Sequence, residues 1–95
     1  MLEIVAMAVS KRFKITNKQG LHARPAALFV RTAARYSSEI WVTKDDDEVN
    51  GKSIMGLMML AAEYGSEVEV RAEGEDEQAA IEELDRLFAG GFGGL

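Results

Sequence analysis

Glu67-Val68-Glu69-Val70-Arg71-Ala72-Glu73 is the stretch of sequence that decides the fold. Its charged and apolar side chains alternate strictly, which predicts a β-strand with one face buried and the other in water. Strands of this kind belong to antiparallel sheets that are covered on one side only. The stretch therefore predicts an α+β fold with its helices on a single face of the sheet.

Three further strands are predicted around this one. At 12–16, Phe13 and Ile15 share one face while polar side chains take the other. The segment 39–44 is rich in β-branched and aromatic residues and leads through an acidic turn at 45–47 to a short strand at 48–50. The adjacent aspartates lack the spaced oxygen ligands, glycine and distal glutamate of a calcium loop, so they predict a solvated turn.

Two helices are predicted between the strands. The first spans 23–36, because Pro25 is acceptable only in a first turn. The second is the apolar stretch 54–62, with Ser53 as its N-cap and Gly65 past its end. The predicted buried stripe of the first helix is Ala26, Phe29, Val30, Ala33 and Tyr36.

The last helix is predicted to begin after Asp76, acting as its N-cap, and to be followed by a glycine-rich tail at 90–95 that is mobile. The predicted order is β-α-β-β-α-β-α. This describes an open-faced β-sandwich, a four-stranded antiparallel sheet with three helices on one face. We expect one domain over 1–95, with a core at about 11–88 and an N-terminal extension at 1–9.

Composition limits the classes of function. The 95 residues, 47% of them hydrophobic, favour a small carrier or binding module over a stand-alone enzyme with a deep cleft. A formal net charge of -5 argues against direct nucleic-acid binding. The chain has no cysteine and a single histidine, which is too few ligands for a metal site and compatible with a reducing compartment.

The apolar start of the chain is interrupted by an acid and is too short to span a bilayer, so a cytoplasmic protein without membrane insertion is expected. This start is compatible with an added edge strand or a frayed tail. Translation is compatible with a start at Met1 or at Met7.

His22 is the main candidate for a reactive residue in the chain. It lies in Gly20-Leu21-His22-Ala23-Arg24-Pro25-Ala26-Ala27, where a loop turns directly into a helix. A helix start offers unpaired N–H groups and a positive dipole end that favour an anion, and a guanidinium such as that of Arg24 suits phosphate oxygens. An unprotonated imidazole nitrogen is a nucleophile that accepts a group covalently and releases it again. From spacing alone, a surface or capping histidine remains an alternative.

Two surface features also have alternatives. Arg24, Arg31 and Arg35 share one face of the first helix, which predicts either a solvated face or a docking surface for an acidic partner. The apolar side chains of the second helix predict either core packing or an adaptable protein-contact surface. They are Ile54, Met55, Met58 and Met59.

Two motifs resemble one known family. The run from Gly20 to Ala26 is similar to the active-site signature of HPr, the histidine-containing phosphocarrier of the bacterial phosphoenolpyruvate:sugar phosphotransferase system. The run Asn50-Gly51-Lys52-Ser53-Ile54-Met55-Gly56-Leu57-Met58 resembles the regulatory-serine segment of the same family, at the expected separation. The resemblance extends from about Lys11 to Phe88; the extra residues at both ends depart from it.

The resemblance implies a carrier without turnover of its own and without a cofactor. It implies that enzyme I transfers a phosphoryl group to Nδ1 of His22, that Arg24 stabilises the phosphate, and that IIA components of sugar permeases receive it. It further implies phosphorylation of Ser53 by an HPr kinase/phosphorylase and docking of partners on Ile54, Met55 and Met58. A transient encounter surface of this kind makes a monomer the expected state.

Two alternatives of function remain at this point. One is the nitrogen-related branch, in which a similar carrier feeds a regulatory IIA protein instead of a permease. The other is a regulatory binding module that is controlled by the phosphorylation of Ser53. The presence of His22 disfavours the related regulatory proteins that keep the serine but lack the histidine.

Overall fold

The computed structural model describes residues 8–95, which follow the predicted order β-α-β-β-α-β-α and then add a short helical segment. No helix among these residues is both long enough and apolar enough to cross a lipid bilayer. The elements are β1 (Val9–Lys14), α1 (Ala23–Ala33), β2 (Glu39–Lys44), β3 (Asp47–Asn50), α2 (Ile54–Met59), β4 (Glu67–Glu73), α3 (Glu77–Ala89) and α4 (Gly91–Gly94).

The four strands form one antiparallel sheet in the spatial order β1-β4-β2-β3. The alternating strand β4 lies inside the sheet, where Val68 is paired with Phe13 of β1 and Val70 with Val42 of β2. All four of these side chains are buried, while the glutamates of β4 face solvent. The one-sided sheet predicted from 67–73 is confirmed.

All four phenylalanines of the chain lie in the core between the sheet and the helices. The ring of Phe88 on α3 is stacked on Phe13 of β1, with centroids 4.4 Å apart and an interplanar angle of 5°. Phe29 of α1 and Phe92 meet the same ring edge-on at 6.0 and 5.1 Å. Phe88 therefore connects the sheet, the first helix and the C-terminal segment, an arrangement that aromatic rings favour.

Three element boundaries differ from the prediction. Strand β1 begins at Val9, because Val9 pairs with Ala72 of β4, so the predicted extension at 1–9 lies mostly outside the described residues. Helix α1 ends at Ala33, and the amides of Arg35 and Tyr36 bond three residues back, which tightens the turn that follows. Helix α2 ends at Met59, since Ala61 is left-handed with φ of +52°.

The prediction of a mobile glycine-rich tail is wrong. Phe92 in its middle is 1% exposed and Leu95 packs against the core. The segment α4 is a tight turn and not an ordinary helical continuation, because Phe92 and Gly93 have φ of +54° and +70°. Composition suggested mobility, but one buried aromatic ring outweighs the conformational freedom of the glycines around it.

Asp76 stands at the N-cap position of α3, but its side chain makes no capping bond, so the predicted capping role is wrong. Its carboxylate accepts the N–H groups of Ser37 (2.8 Å) and Ser38 (2.9 Å) and both of their hydroxyl groups. These bonds, the Ser38 hydroxyl first, lower the pKa of Asp76 to about 2. Asp76 thus ties the loop between α1 and β2 to the start of α3.

This network predicts a pH-dependent stability. The pKa of Asp76 is lower in the folded protein than in the unfolded chain, so its contribution is complete above about pH 4 and is lost as the pH falls to about 2. We expect the difference in unfolding free energy between wild type and Asp76→Asn, measured by urea denaturation, to shrink between pH 4 and pH 2. A difference that stays constant across that range contradicts the assignment.

Candidate functional site

The loop before α1 is held on both sides of Gly20. The Asn17 side-chain amide donates to the Gly20 carbonyl oxygen (2.9 Å), and the Leu21 N–H donates to the Ala62 carbonyl oxygen (2.9 Å). Gly20 is buried, with φ of +65°, and leaves no room for a side chain against Ala62. The loop therefore delivers His22 to a defined place above the end of α2.

His22 is the N-cap residue of α1, with extended backbone dihedrals of -91° and -173°. Its carbonyl oxygen accepts the Ala26 N–H at 2.8 Å, while its side chain is exposed and makes no capping bond. Within residues 8–95, the N–H groups of Ala23 and Arg24 have no hydrogen-bond partner, and Pro25 has no N–H. The helix start thus presents an exposed imidazole beside two free donors.

Arg24 is exposed and forms no ion pair within the described part of the chain. Arg35 differs, because its guanidinium is 2.6 Å from the carboxylate of Glu83 on α3. The predicted basic stripe is therefore divided: its end near His22 is unpaired, and its far end is neutralised. An unpaired guanidinium at a helix start remains available to an incoming anion.

A surface cavity of about 270 Å³ adjoins His22 and is lined by Lys18, Gln19, Glu63 and Tyr64. Arg24 does not line it, so the structure does not bring His22 and Arg24 together in one cavity. Lys18 offers a cation to an anionic group there, whereas Glu63 opposes one. None of these four residues was predicted from the sequence as part of the site. Glu63 and Tyr64 follow Ala62, whose carbonyl oxygen accepts the Leu21 N–H, a contact between distant segments that no local pattern indicates.

Helix α2 presents an apolar surface next to this site. Only Leu57 of its six residues is buried, and Met55 and Met59 are 74% and 79% exposed. Ser53 is the N-cap, as predicted, and its Oγ accepts the Gly56 N–H at 3.0 Å. We call the exposed side chains of α2 the methionine surface: Ile54, Met55, Met58 and Met59. Tyr64, which was not predicted from the sequence as a surface residue, is a further large side chain that is exposed, and it lines the cavity beside His22.

The described residues contain no group of three or more histidine or acidic side chains arranged to hold a metal ion. The site offers an exposed imidazole, two free backbone N–H donors, the cation of Lys18 in the cavity, the guanidinium of Arg24 outside it, and an apolar surface on α2. Such a set stabilises a transferred anionic group by position and charge.

Comparison with known proteins gives a consistent match. Residues 9–90 match the family model PTS-HPr, described as the PTS HPr component phosphorylation site. The phosphocarrier protein HPr of Neisseria meningitidis serogroup A is 51% identical over 85 residues, which are 90% of this chain and 96% of that protein. The HPr-like protein Crh of Bacillus subtilis is 53% identical over 76 residues, 80% and 89% of the two chains.

The fold agrees with solved structures as well. The crystal structure of HPr-C-His from Thermoanaerobacter tengcongensis superposes with a TM-score of 0.87 at 53% sequence identity, covering 90% of this chain and 96% of that one. The residues that match the family model, 9–90, include the sheet and the loop that carries His22.

Proposed function

The chain belongs to the HPr family, the phosphocarriers of the phosphotransferase system, and on that premise we propose that His22 is the residue that carries the phosphoryl group. The bond to the phosphoryl donor breaks as a bond forms between phosphorus and Nδ1 of His22. In the second step the bond between phosphorus and Nδ1 breaks as a bond forms between phosphorus and a nucleophilic atom of the next acceptor, which leaves His22 free again.

The observation that carries this proposal is the exposed imidazole at the N-cap of α1, free of any capping bond. A phosphoryl group on its ring lies within reach of a helix start whose N–H groups at Ala23 and Arg24 are unpaired in the described chain. Arg24 and Lys18 supply the positive charge that balances the added oxygens. Phosphoryl transfer needs mainly such positioning and charge stabilisation.

We propose enzyme I as the donor and IIA components as the acceptors, with the methionine surface as the docking site. Flexible, exposed thioethers adapt to more than one partner surface, which suits a carrier that meets a donor and an acceptor in turn. A IIA component of a sugar permease is the expected acceptor. Transfer only to a regulatory IIA protein would instead assign the chain to the nitrogen-related branch.

The direct test is to incubate the protein with phosphoenolpyruvate and enzyme I and to locate the phosphate. We expect one acid-labile phosphate, mapped to His22 by mass spectrometry under neutral conditions. Addition of a IIA component should then remove it. An unlabelled protein, or an acid-stable phosphate on another residue, would overturn the proposal.

Ser53 is proposed as the regulatory residue, because a charge at this position lies directly before the methionine surface. We expect Ser53→Asp to slow phosphoryl acceptance from enzyme I about tenfold, the effect of a penalty of roughly 1.4 kcal/mol on docking. Aspartate is as good an N-cap as serine, so folding should be retained.

Ser53→Asn is the matched control for this variant, because asparagine keeps the capping oxygen and adds no charge. Stopped-flow measurement of transfer should show Ser53→Asn close to wild type. Equal slowing by both substitutions would assign the effect to the shape of the side chain and refute the regulatory role of charge.

A further inference from the structure

We propose that the segment Phe92–Leu95, which we call the clasp, holds the loop before His22 in its transfer-competent position, with Phe92 as a positioning residue. This inference rests on the proposed function of His22. It concerns a segment that differs from the family resemblance in its glycine-rich composition, so the role follows from the contacts of this chain.

The clasp is anchored by Phe92. Its side chain is 1% exposed, and its ring meets Phe88 edge-on with centroids 5.1 Å apart and an interplanar angle of 79°. A phenylalanine with φ of +54° is rare and costs energy, because its Cβ crowds the backbone. The burial of the ring offsets this cost, so the turn has one preferred conformation.

The clasp then turns back toward the site. Gly93 and Gly94 have φ of +70° and +92°, and the Gly93 N–H donates to the Gly90 carbonyl oxygen at 3.1 Å. The turn leads Leu95 to the loop, where its main-chain oxygen accepts the N–H of Gln19 at 3.1 Å. The Leu95 side chain packs against the core, which holds the main-chain oxygen of Leu95 in place.

Gln19 connects the clasp to the cavity beside His22. It lines the cavity beside His22 together with Lys18. The other bonds of the loop hold Asn17, Gly20 and Leu21, and Leu95 is the only backbone partner of the Gln19 N–H within residues 8–95. Release of the clasp therefore frees the cavity wall that Lys18 and Gln19 form, while the bonds around Gly20 remain.

The test is the double variant Gly93→Val/Gly94→Val. Both glycines are exposed, and a Cβ at either meets no atom within 4 Å, so the valines leave the core untouched. Their left-handed backbone is strained for a β-branched residue, however, which disfavours the turn itself. Ala89→Val is the matched control, because it adds the same side chain at an exposed helical position just before the turn.

We expect faster amide hydrogen exchange at Gln19 and a fall in kcat for phosphorylation by enzyme I of about threefold to tenfold, the factor by which one net hydrogen bond changes a rate. KM should stay at the wild-type value, since the methionine surface is untouched. Unchanged exchange at Gln19, or faster exchange with an unchanged kcat, would overturn the positioning role.

If the double variant fails to fold, the same two measurements are made on Phe92→Leu, which keeps an apolar anchor of smaller size and should show the same changes at lower amplitude. The exchange measurement tests the clasp even without transfer. A wild-type protein that accepts no phosphate contradicts the proposed function, whereas a labelled wild type with variants identical to it contradicts the clasp alone.

Discussion

His22→Ala is expected to accept no phosphoryl group from enzyme I while it keeps the wild-type fold. The substitution removes the nucleophilic nitrogen and nothing that the described structure uses for stability: the imidazole is exposed and makes no capping bond. Loss of a nucleophile removes the covalent path altogether. We expect labelling from phosphoenolpyruvate to fall to background, with a urea midpoint close to that of wild type.

His22→Asn separates chemistry from helix capping. Asparagine is among the preferred N-cap residues, so this variant should be at least as stable as wild type and equally unlabelled. Arg24→Ala should behave differently, because the nucleophile remains: label is still accepted, but more slowly. Full labelling of either His22 variant would move the phosphoryl acceptor to another residue and end the assignment to His22.

Sequence alone predicts those parts of the fold in which a short stretch of residues determines its own conformation and its buried face. The alternation from Glu67 to Glu73 indicates the buried face, and the buried face requires helices on one side. His22 at a helix start and Ser53 as an N-cap are also local features, and both were predicted correctly. Local propensity and tertiary packing agree at these positions.

The features that were missed depend on contacts between distant segments. Asp76 looks like a capping residue because a helix follows it, but its carboxylate accepts the N–H groups of Ser37 and Ser38 instead of those of the helix. The tail looks mobile because it is rich in glycine, but the ring of Phe92 is buried in the core, where its neighbour Phe88 is stacked on the distant Phe13. In both cases a partner outside the local window decides the conformation, and no local pattern reports it.

Gly20→Ala is expected to destabilise the described structure strongly, because the substitution places a Cβ against backbone atoms. A Cβ at Gly20 would lie 2.5 Å from the Ala62 carbonyl oxygen and 3.0 Å from the Glu63 Cα, and both are backbone atoms that cannot rotate away. Relief of this overlap stretches the bond from the Leu21 N–H to Ala62. The overlap and the left-handed φ of +65° both oppose an alanine at this position. We therefore expect Gly20→Ala to lower the unfolding free energy by about 3 kcal/mol.

Gly65→Ala is the matched control for Gly20→Ala, because it separates the cost of the left-handed backbone from the cost of the overlap. Its φ of +89° imposes the conformational cost of a left-handed alanine, but a Cβ there meets nothing within 4 Å. It should therefore lose only about 1 kcal/mol in urea denaturation. The difference between the two variants measures the close approach of the loop to Ala62, which is the contact that brings Glu63 and Tyr64 to His22. If both variants lose the same free energy, the overlap of a Cβ at Gly20 with Ala62 has no cost, and the close approach of the loop to Ala62 is contradicted.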